Sequence, residues 1–241
     1  MKTLVTGANG QLGTEMRNIL EEKYPGHTLY TDVAELDITD ADAVKAFVRD
    51  NDITHIVNCA AYTAVDKAEE DKALSAAINI DAVRNLANAA DAVGAKVLHV
   101  STDYVFDGTA CRPYKESDKV NPVSQYGTTK RQGETALLAL APESIIVRTA
   151  WLYSPYGKNF VKTMIRLGRE RAVLKVVSDQ IGTPTYAADL AAAIYAILLS
   201  PQWIPGIYHF SDEGACSWYD FTKAIHRIAG ITTCDVQPIP T

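Results

Sequence analysis

Lys2-Thr3-Leu4-Val5-Thr6-Gly7-Ala8-Asn9-Gly10-Gln11-Leu12-Gly13 opens the chain. Residues 2–6 form a short β-rich run. Gly7, Gly10 and Gly13 follow at three-residue spacing, and a helical pattern then continues to Lys23, where Pro25-Gly26 breaks it. The order is strand, glycines, helix. Glycines there let the backbone turn tightly and come close to a pyrophosphate, and the helix that follows presents free N–H groups and the positive end of its dipole. The spacing departs by one residue from Gly-x-Gly-x-x-Gly, and a purely structural turn is the competing reading. The strand before and the helix after favour a dinucleotide site, with Gln11 and Leu12 inside it.

Outward from this stretch the alternation continues. Strands are predicted over residues 27–31, 53–60, 96–100, 144–149, 173–177 and 206–210. Helices are predicted up to residue 50, with Thr39 or Asp40 as cap, and over 63–92, 123–140, 159–169, 187–199 and 217–228. Strands alternating with helices of ten or more residues predict an α/β fold, a Rossmann-type doubly wound parallel sheet covered on both faces. Its crossovers should be right-handed. Beyond about Trp151, Pro, Tyr and Trp become denser and the loops lengthen. Residues 1–150 are therefore expected to form the dinucleotide-binding domain. Residues 151–241 are expected to complete the sheet and build a small substrate lobe, itself incomplete at its C-terminal end.

Composition narrows the field. Lys and Arg number 23 against 29 Asp and Glu, a net charge of −6, and no basic tract of five appears, so no nucleic-acid partner is expected. Cys59, Cys111, Cys216 and Cys234 make no Cys-x-x-Cys pair, and no two His stand at i, i+4, which argues against a disulfide framework or a zinc site. The longest apolar run, near residues 190–199, is too short to cross a bilayer, so no membrane partner is expected. Met1-Lys2 leads straight into a strand without an apolar signal segment, and a cytoplasmic location is expected. Monomer and homodimer both remain open.

Asp32 ends the second predicted strand, about 20 residues past the glycines. A carboxylate there accepts hydrogen bonds from ribose hydroxyls and repels a 2′-phosphate, which favours NADH over NADPH. A turn carboxylate is the bland alternative. Asp37 and Ile38 are candidates for the adenine, one for its amino group and one for its ring. Ala60, Ala61, Tyr62 and Thr63 follow the third strand, where small residues suit close passage of a cofactor; tight packing would explain them equally.

The chemistry is expected in Ser101-Thr102-Asp103-Tyr104-Val105-Phe106-Asp107-Gly108 and in Tyr126-Gly127-Thr128-Thr129-Lys130. A free phenol titrates near pH 10. A lysine one helical turn away shares its face and should favour the phenolate, turning Tyr126 into a usable acid or base. Thr102 is the candidate hydroxyl beside it and Ser101 its rival. Successive side chains on a strand point opposite ways, so only one can face the site.

Taken together, the glycine loop, the strand-end hydroxyl and Tyr126-x-x-x-Lys130 resemble the extended short-chain dehydrogenase/reductase superfamily over nearly the whole chain. Longer strings narrow the resemblance. They are Asn58-Cys59-Ala60-Ala61-Tyr62-Thr63-Ala64-Val65-Asp66-Lys67-Ala68-Glu69, the stretch 101–108, Arg148-Thr149-Ala150-Trp151 and Asp179-Gln180-Ile181-Gly182-Thr183-Pro184. These look like the dTDP-4-dehydrorhamnose reductase family. The resemblance implies hydride transfer from NADPH or NADH to the C4 ketone of a dTDP-6-deoxy-4-keto sugar, giving dTDP-L-rhamnose. Tyr126 would be the general acid, Lys130 would lower its pKa and bond the nicotinamide ribose, and Thr102 would hold the substrate oxygen. Asp103, Tyr104, Phe106 and Trp151 are expected at the deoxysugar, with core packing the alternative for the aromatics; Asn159-Phe160 and Val65-Asp66 are weaker candidates for the same wall. Some members bind Mg²⁺, for which Glu15 and Asp189 match positions, although Glu15 reads first as a first-turn helix carboxylate. Members continue past the position of Thr241 into a basic segment that grips the nucleotide diphosphate. A nucleotide-sugar epimerase or dehydratase on the same scaffold, and a non-catalytic cofactor-binding subunit, are the competing functions.

Overall fold

Leu4 and Val5, Ile56 and Val57, and Val97 and Leu98 are neighbours in sequence that serve opposite faces of one sheet. That alternation is why the sheet must be covered twice. The computed structural model describes all residues, 1–241. The first half runs β1 (Thr3–Thr6), α1 (Gln11–Lys23), β2 (Thr28–Thr31), α2 (Ala41–Asp50), β3 (His55–Asn58), the short helices α3 (Val65–Ala68) and α4 (Lys72–Ala76), a π-helical turn (Ala77–Asp81), α5 (Ala82–Val93) and β4 (Lys96–Thr102). A 3₁₀ turn (Asp103–Val105), α6 (Gln125–Leu140), β5 (Ile145–Thr149), β6 (Leu152–Tyr153), α7 (Phe160–Glu170), β7 (Val173–Val177), β8 (Ile181–Gly182) and β9 (Thr185–Tyr186) follow. The chain closes with α8 (Ala187–Leu199), β10 (Gly206–His209), β11 (Cys216–Ser217), α9 (Trp218–Ile228) and β12 (Asp235–Ile239).

Six strands form the central sheet in the order β10-β5-β4-β3-β1-β2, every pair parallel. On one face Leu4, Ile56, Val97 and Ile146 pack against Val44 and Val48 of α2, Val83 and Leu86 of α5, and Leu137 of α6. On the other, Val5, Val57, Leu98 and Val147 meet Leu12, Met16 and Leu20 of α1 and Leu190 and Ile194 of α8. Each fully buried aliphatic side chain of this kind contributes roughly 1.5–3 kcal/mol. This is the doubly wound α/β architecture the alternation predicts.

Strand order reverses at β1. The chain leaves β1 for β2 on one side, then returns to β3 on the other. Open α/β sheets bind ligands outside the carboxyl ends of the strands at such a switch point. Here those ends are Thr6, Asn58 and, one strand further, Thr102.

Two local expectations change. The predicted helix over 63–92 is interrupted, with a π turn carrying Asn79 inward. The wider turn gives Asn79 room to bond a neighbouring loop, and Gly133 of α6 is pressed so close to the Asn79 carbonyl that a Cβ there would have no space. The strand over 173–177 forms, but outside the main sheet, paired in parallel with β12, an element whose Pro238 masks its strand character in sequence. Around that pair, Met164, Leu174, Val176, Ile225 and Val236 make a third apolar cluster with α7 and α9.

Candidate active site at the carboxyl ends of the central strands

The glycine loop is built for close approach. Gly7 has φ +64°, and a Cβ on it would lie 2.7 Å from the Ala60 backbone. A Cβ on Gly13 would run into Gly7 and Ala8. Any side chain at either position would push β1, α1 and the segment after β3 apart. Helix α1 starts at Gly10 with no side-chain cap and no acidic residue in its first turn. Asp40, Ser124, Asn159 and Ser217 cap α2, α6, α7 and α9; α8 also lacks a side-chain cap but carries Asp189 in its first turn, whereas the first-turn N–H groups of α1 face no such carboxylate and are left for an anion. These features fit a dinucleotide pyrophosphate.

Asp32 follows β2 directly, and its carboxylate accepts the backbone N–H groups of Asn9 (3.1 Å) and Val33 (2.9 Å), tying the end of β2 to the glycine loop. Asp37 is exposed and accepts both the N–H and the hydroxyl of Thr39, which hold its carboxyl below the usual range. Ile38 is buried in the core beneath α2 and α5. Leu12 is likewise a core residue, and Gln11 turns outward to accept a hydrogen bond from Asn159 at 2.8 Å. Ala60, Ala61 and Tyr62 are half-buried and Thr63 is exposed along the segment after β3. Asn79 bonds both sides of Tyr62: its Oδ1 accepts the Tyr62 N–H and its Nδ2 donates to the Tyr62 carbonyl.

Thr102, the last residue of β4, and Tyr126, in the first turn of α6, are both buried. The Thr102 hydroxyl donates to Asp103 (3.0 Å) and accepts the Tyr104 N–H (3.2 Å). The rivalry with Ser101 is decided by the strand pleat. Ser101 donates to Glu134 at 2.6 Å on the opposite side of β4, so Thr102 alone is on the side of Tyr126. Tyr104 meets the Tyr126 ring edge-on, centroids 5.5 Å apart. The N-terminus of α6 is held by Ser124, which accepts the Gly127 N–H, and by Glu69, which accepts the Gln125 N–H at 2.7 Å.

The ionisation of the pair differs from the sequence expectation. Burial pushes the Tyr126 phenol well above its usual value; the Thr102 hydroxyl acts against this, and the Asp103 and Tyr104 charges add to it. Lys130 makes no hydrogen bond to the phenol. Its Nζ donates to the Val100 carbonyl at 2.7 Å and lies 3.3 Å from His99 Nε2, so its reach is directed into β4. Burial lowers the Lys130 pKa to about 8, against Glu134 and Cys59. Asp103, beside Thr102, is raised to about 6 by burial, against its hydrogen bonds from Thr102 and the backbone.

Phe106 and Trp151 are placed in packing rather than beside Tyr126. Phe106 stacks on Tyr114 (4.2 Å) under the Arg148 guanidinium. Trp151 has φ +46°, stacks on Trp218 (3.4 Å) and fills the space over Gly182. Phe160 joins Trp218 in that aromatic group. Glu15, on α1 beside α8, is buried with one carboxylate oxygen near Asn18 (3.4 Å) and the other without a partner. No three His, Cys, Asp or Glu gather in a way that could hold a metal ion.

Sequence reasoning passed over Asn79, His99 and Glu134, and met Arg148 only within a family string, with no role of its own. Asn79 left a trace as a polar residue within a small-residue helical face; Glu134, at helical spacing from Lys130 and Arg131, reads as an ordinary surface charge. His99, inside the apolar run of β4, left a trace similar to that of Asn79.

Comparison with known proteins gives a consistent result. Residues 1–241 match the family described as RmlD substrate binding domain. The dTDP-4-dehydrorhamnose reductase of Aggregatibacter actinomycetemcomitans is 45% identical over 93% of this chain and 78% of its own length. A dTDP-4-dehydrorhamnose reductase structure from Clostridium acetobutylicum superposes with a TM-score of 0.96 at 49% identity, covering 100% of this chain and 84% of that one. One from Bacillus anthracis, solved in complex with NADP, gives 0.94 at 43% identity, covering 100% and 85%. With a full-length family match and relatives of this similarity, the chain belongs to the dTDP-4-dehydrorhamnose reductase family.

Proposed function

We propose that this chain reduces the C4 ketone of dTDP-6-deoxy-L-lyxo-4-hexulose to dTDP-L-rhamnose. The observation that carries the reading is the convergence of Thr102 and Tyr126 at the switch-point end of the sheet, beside a glycine loop that admits no Cβ at Gly7. NAD(P)H supplies the hydride. The rest falls to the protein. Reduction leaves charge on the ketone oxygen, which needs hydrogen-bond donors and a proton as it forms. Thr102 donates the hydrogen bond. Tyr126 donates the proton, and its burial keeps the phenol protonated beforehand. Asp103 and Tyr104, at the mouth beside Thr102, contact the sugar; Phe106 and Trp151 are held in packing against Tyr114 and Trp218. The cluster around α7, β7, α9 and β12 forms the substrate lobe, and Gln11 bonding Asn159 links the cofactor loop to it.

The test is NAD(P)H consumption with the 4-keto sugar. Stoichiometric oxidation is expected. Conversion of the sugar without net oxidation would indicate an epimerase or dehydratase and overturn the reading.

Asp32 favours NADH, since a carboxylate at the ribose opposes a 2′-phosphate. Asp32→Asn keeps an oxygen for the Asn9 N–H and removes the charge. The NADPH/NADH ratio of kcat/KM should rise by about tenfold or more, given that like charges in contact cost several kcal/mol. An unchanged ratio would remove Asp32 from the ribose site.

A further inference from the structure

Thr6, Asn58, His99 and Lys130 form one buried line across β1, β3, β4 and α6. The Thr6 hydroxyl donates to Asn58 Oδ1 at 2.7 Å, and the Ala60 backbone N–H donates to the same oxygen at 3.1 Å. A backbone N–H can only donate, so the orientation of the Asn58 amide is fixed. Its Nδ2 therefore faces His99 Nδ1, at 3.0 Å. An amide nitrogen also only donates, so His99 Nδ1 carries a lone pair. The ring is then neutral with its single proton on Nε2. That nitrogen is 3.3 Å from Lys130 Nζ. Toward an ammonium, the His99 N–H would be a second donor facing a donor. Toward an amine, it finds a lone pair, while the amine still donates to Val100.

The other groups around Lys130 do not reverse this. Glu134, one turn along α6, favours the ammonium, but its carboxylate is engaged by Arg148, Arg131 and Ser101. The Cys59 thiol, at the end of β3, is pushed up to about 12 by burial and is uncharged. Tyr126, one turn earlier, is an uncharged phenol. Burial holds His99 well below its usual value, with Lys130 adding to the effect, in keeping with a neutral ring.

We infer that His99 is a positioning residue for Lys130: held by Asn58 in the tautomer protonated on Nε2, it donates to the lysine nitrogen and favours the uncharged amine. This rests on the catalytic reading of Tyr126 and gives it a consequence. Once Tyr126 has given its proton to the product oxygen, the phenolate needs another. A lysine tuned towards neutral pH exchanges its own proton with solvent in the working range, so its charge beside the site can be reset within each turnover.

The test is NMR of the free full chain labelled with ¹⁵N-histidine and ¹³C,¹⁵N-lysine. It reads the two residues directly, so a chain that failed to reduce the sugar would leave it intact. His99 should show a protonated Nε2 and bare Nδ1 throughout neutral pH, and Lys130 should titrate well below the usual lysine value of about 10.4. Asn58→Asp offers His99 an acceptor in place of a donor and should move the ring proton to Nδ1. Nε2 then accepts from the ammonium, and the Lys130 midpoint should rise by about one pH unit or more. The same substitution in a His99→Phe background separates this from the added charge, and there most of the shift should vanish. A His99 protonated on Nδ1 in the unmodified chain, or an equal shift in the Phe background, would overturn the inference. The unmodified chain alone decides the tautomer should a variant fail to fold.

Discussion

Tyr126→Phe is expected to lower turnover by at least about 10²-fold, the usual loss when a positioned proton donor is removed. The substitution deletes one oxygen and keeps the ring. The edge-on packing against Tyr104 and the burial of the side chain are retained, so the fold should be unaffected. The glycine loop belongs to β1 and α1, not to α6, and NAD(P)H affinity should therefore hold. Burial keeps the phenol protonated, so in the unmodified chain the donor is loaded before the ketone arrives. Steady-state NAD(P)H oxidation measures the first quantity, and fluorescence titration with NADPH the second. Turnover within a fewfold of the unmodified chain would take Tyr126 out of the proton step. Loss of cofactor affinity in parallel would mean that the substitution had disturbed α6 rather than the chemistry.

The fold was legible because its determinants are local. Apolar pairs such as Leu4-Val5 and Ile56-Val57 announce a strand buried on both faces, and glycines between strand and helix announce the turn that follows. The positions of Thr102 and Tyr126, at a strand end and in the first turn of a helix, were legible because local spacing survives folding unchanged. What sequence could not carry was the direction of a long side chain. Helical spacing places Lys130 on the face of Tyr126, yet four methylenes let its nitrogen reach the Val100 carbonyl instead. Phe106 and Trp151 mislead for a related reason, since an aromatic near a site can line it or brace it. A stacked partner decides, and neither Tyr114, across an irregular loop from Phe106, nor Trp218, far along the chain from Trp151, stands at a regular spacing that would announce the stack. The π turn at Asn79 is invisible in a run whose composition is helical throughout.

Arg148→Met should destabilise the chain by about 3–5 kcal/mol, the usual cost of leaving half of a buried ion pair unmatched. For a chain of this length that corresponds to a fall in Tm of roughly 6–20 °C. Glu134 is fully buried, and Arg148 grips both of its oxygens, Nε to Oε1 at 2.8 Å and Nη2 to Oε2 at 2.7 Å. Burial works to raise the Glu134 pKa, but Arg148, Ser101 and Arg131 together hold it below the usual value. Methionine matches much of the arginine stem, so the loss reports the charge rather than a cavity. Arg131 still reaches one oxygen at 2.9 Å, which places the expected loss toward the lower end. Glu134→Leu combined with Arg148→Met should recover much of the stability, because apolar replacement of both partners removes the stranded carboxylate. Thermal unfolding of the two single variants and the double variant closes the cycle. A double variant no more stable than the singles would show that the pair matters through shape alone. The site should register the same change, since Ser101 precedes Thr102 and Glu134 lies one turn beyond Lys130. With its partner gone, the carboxylate acts on the lysine less shielded, favours the ammonium and should carry the Lys130 midpoint upward. The clamp behind the sheet thus stabilises the fold and, by neutralising Glu134, preserves the condition under which the lysine can give up its proton.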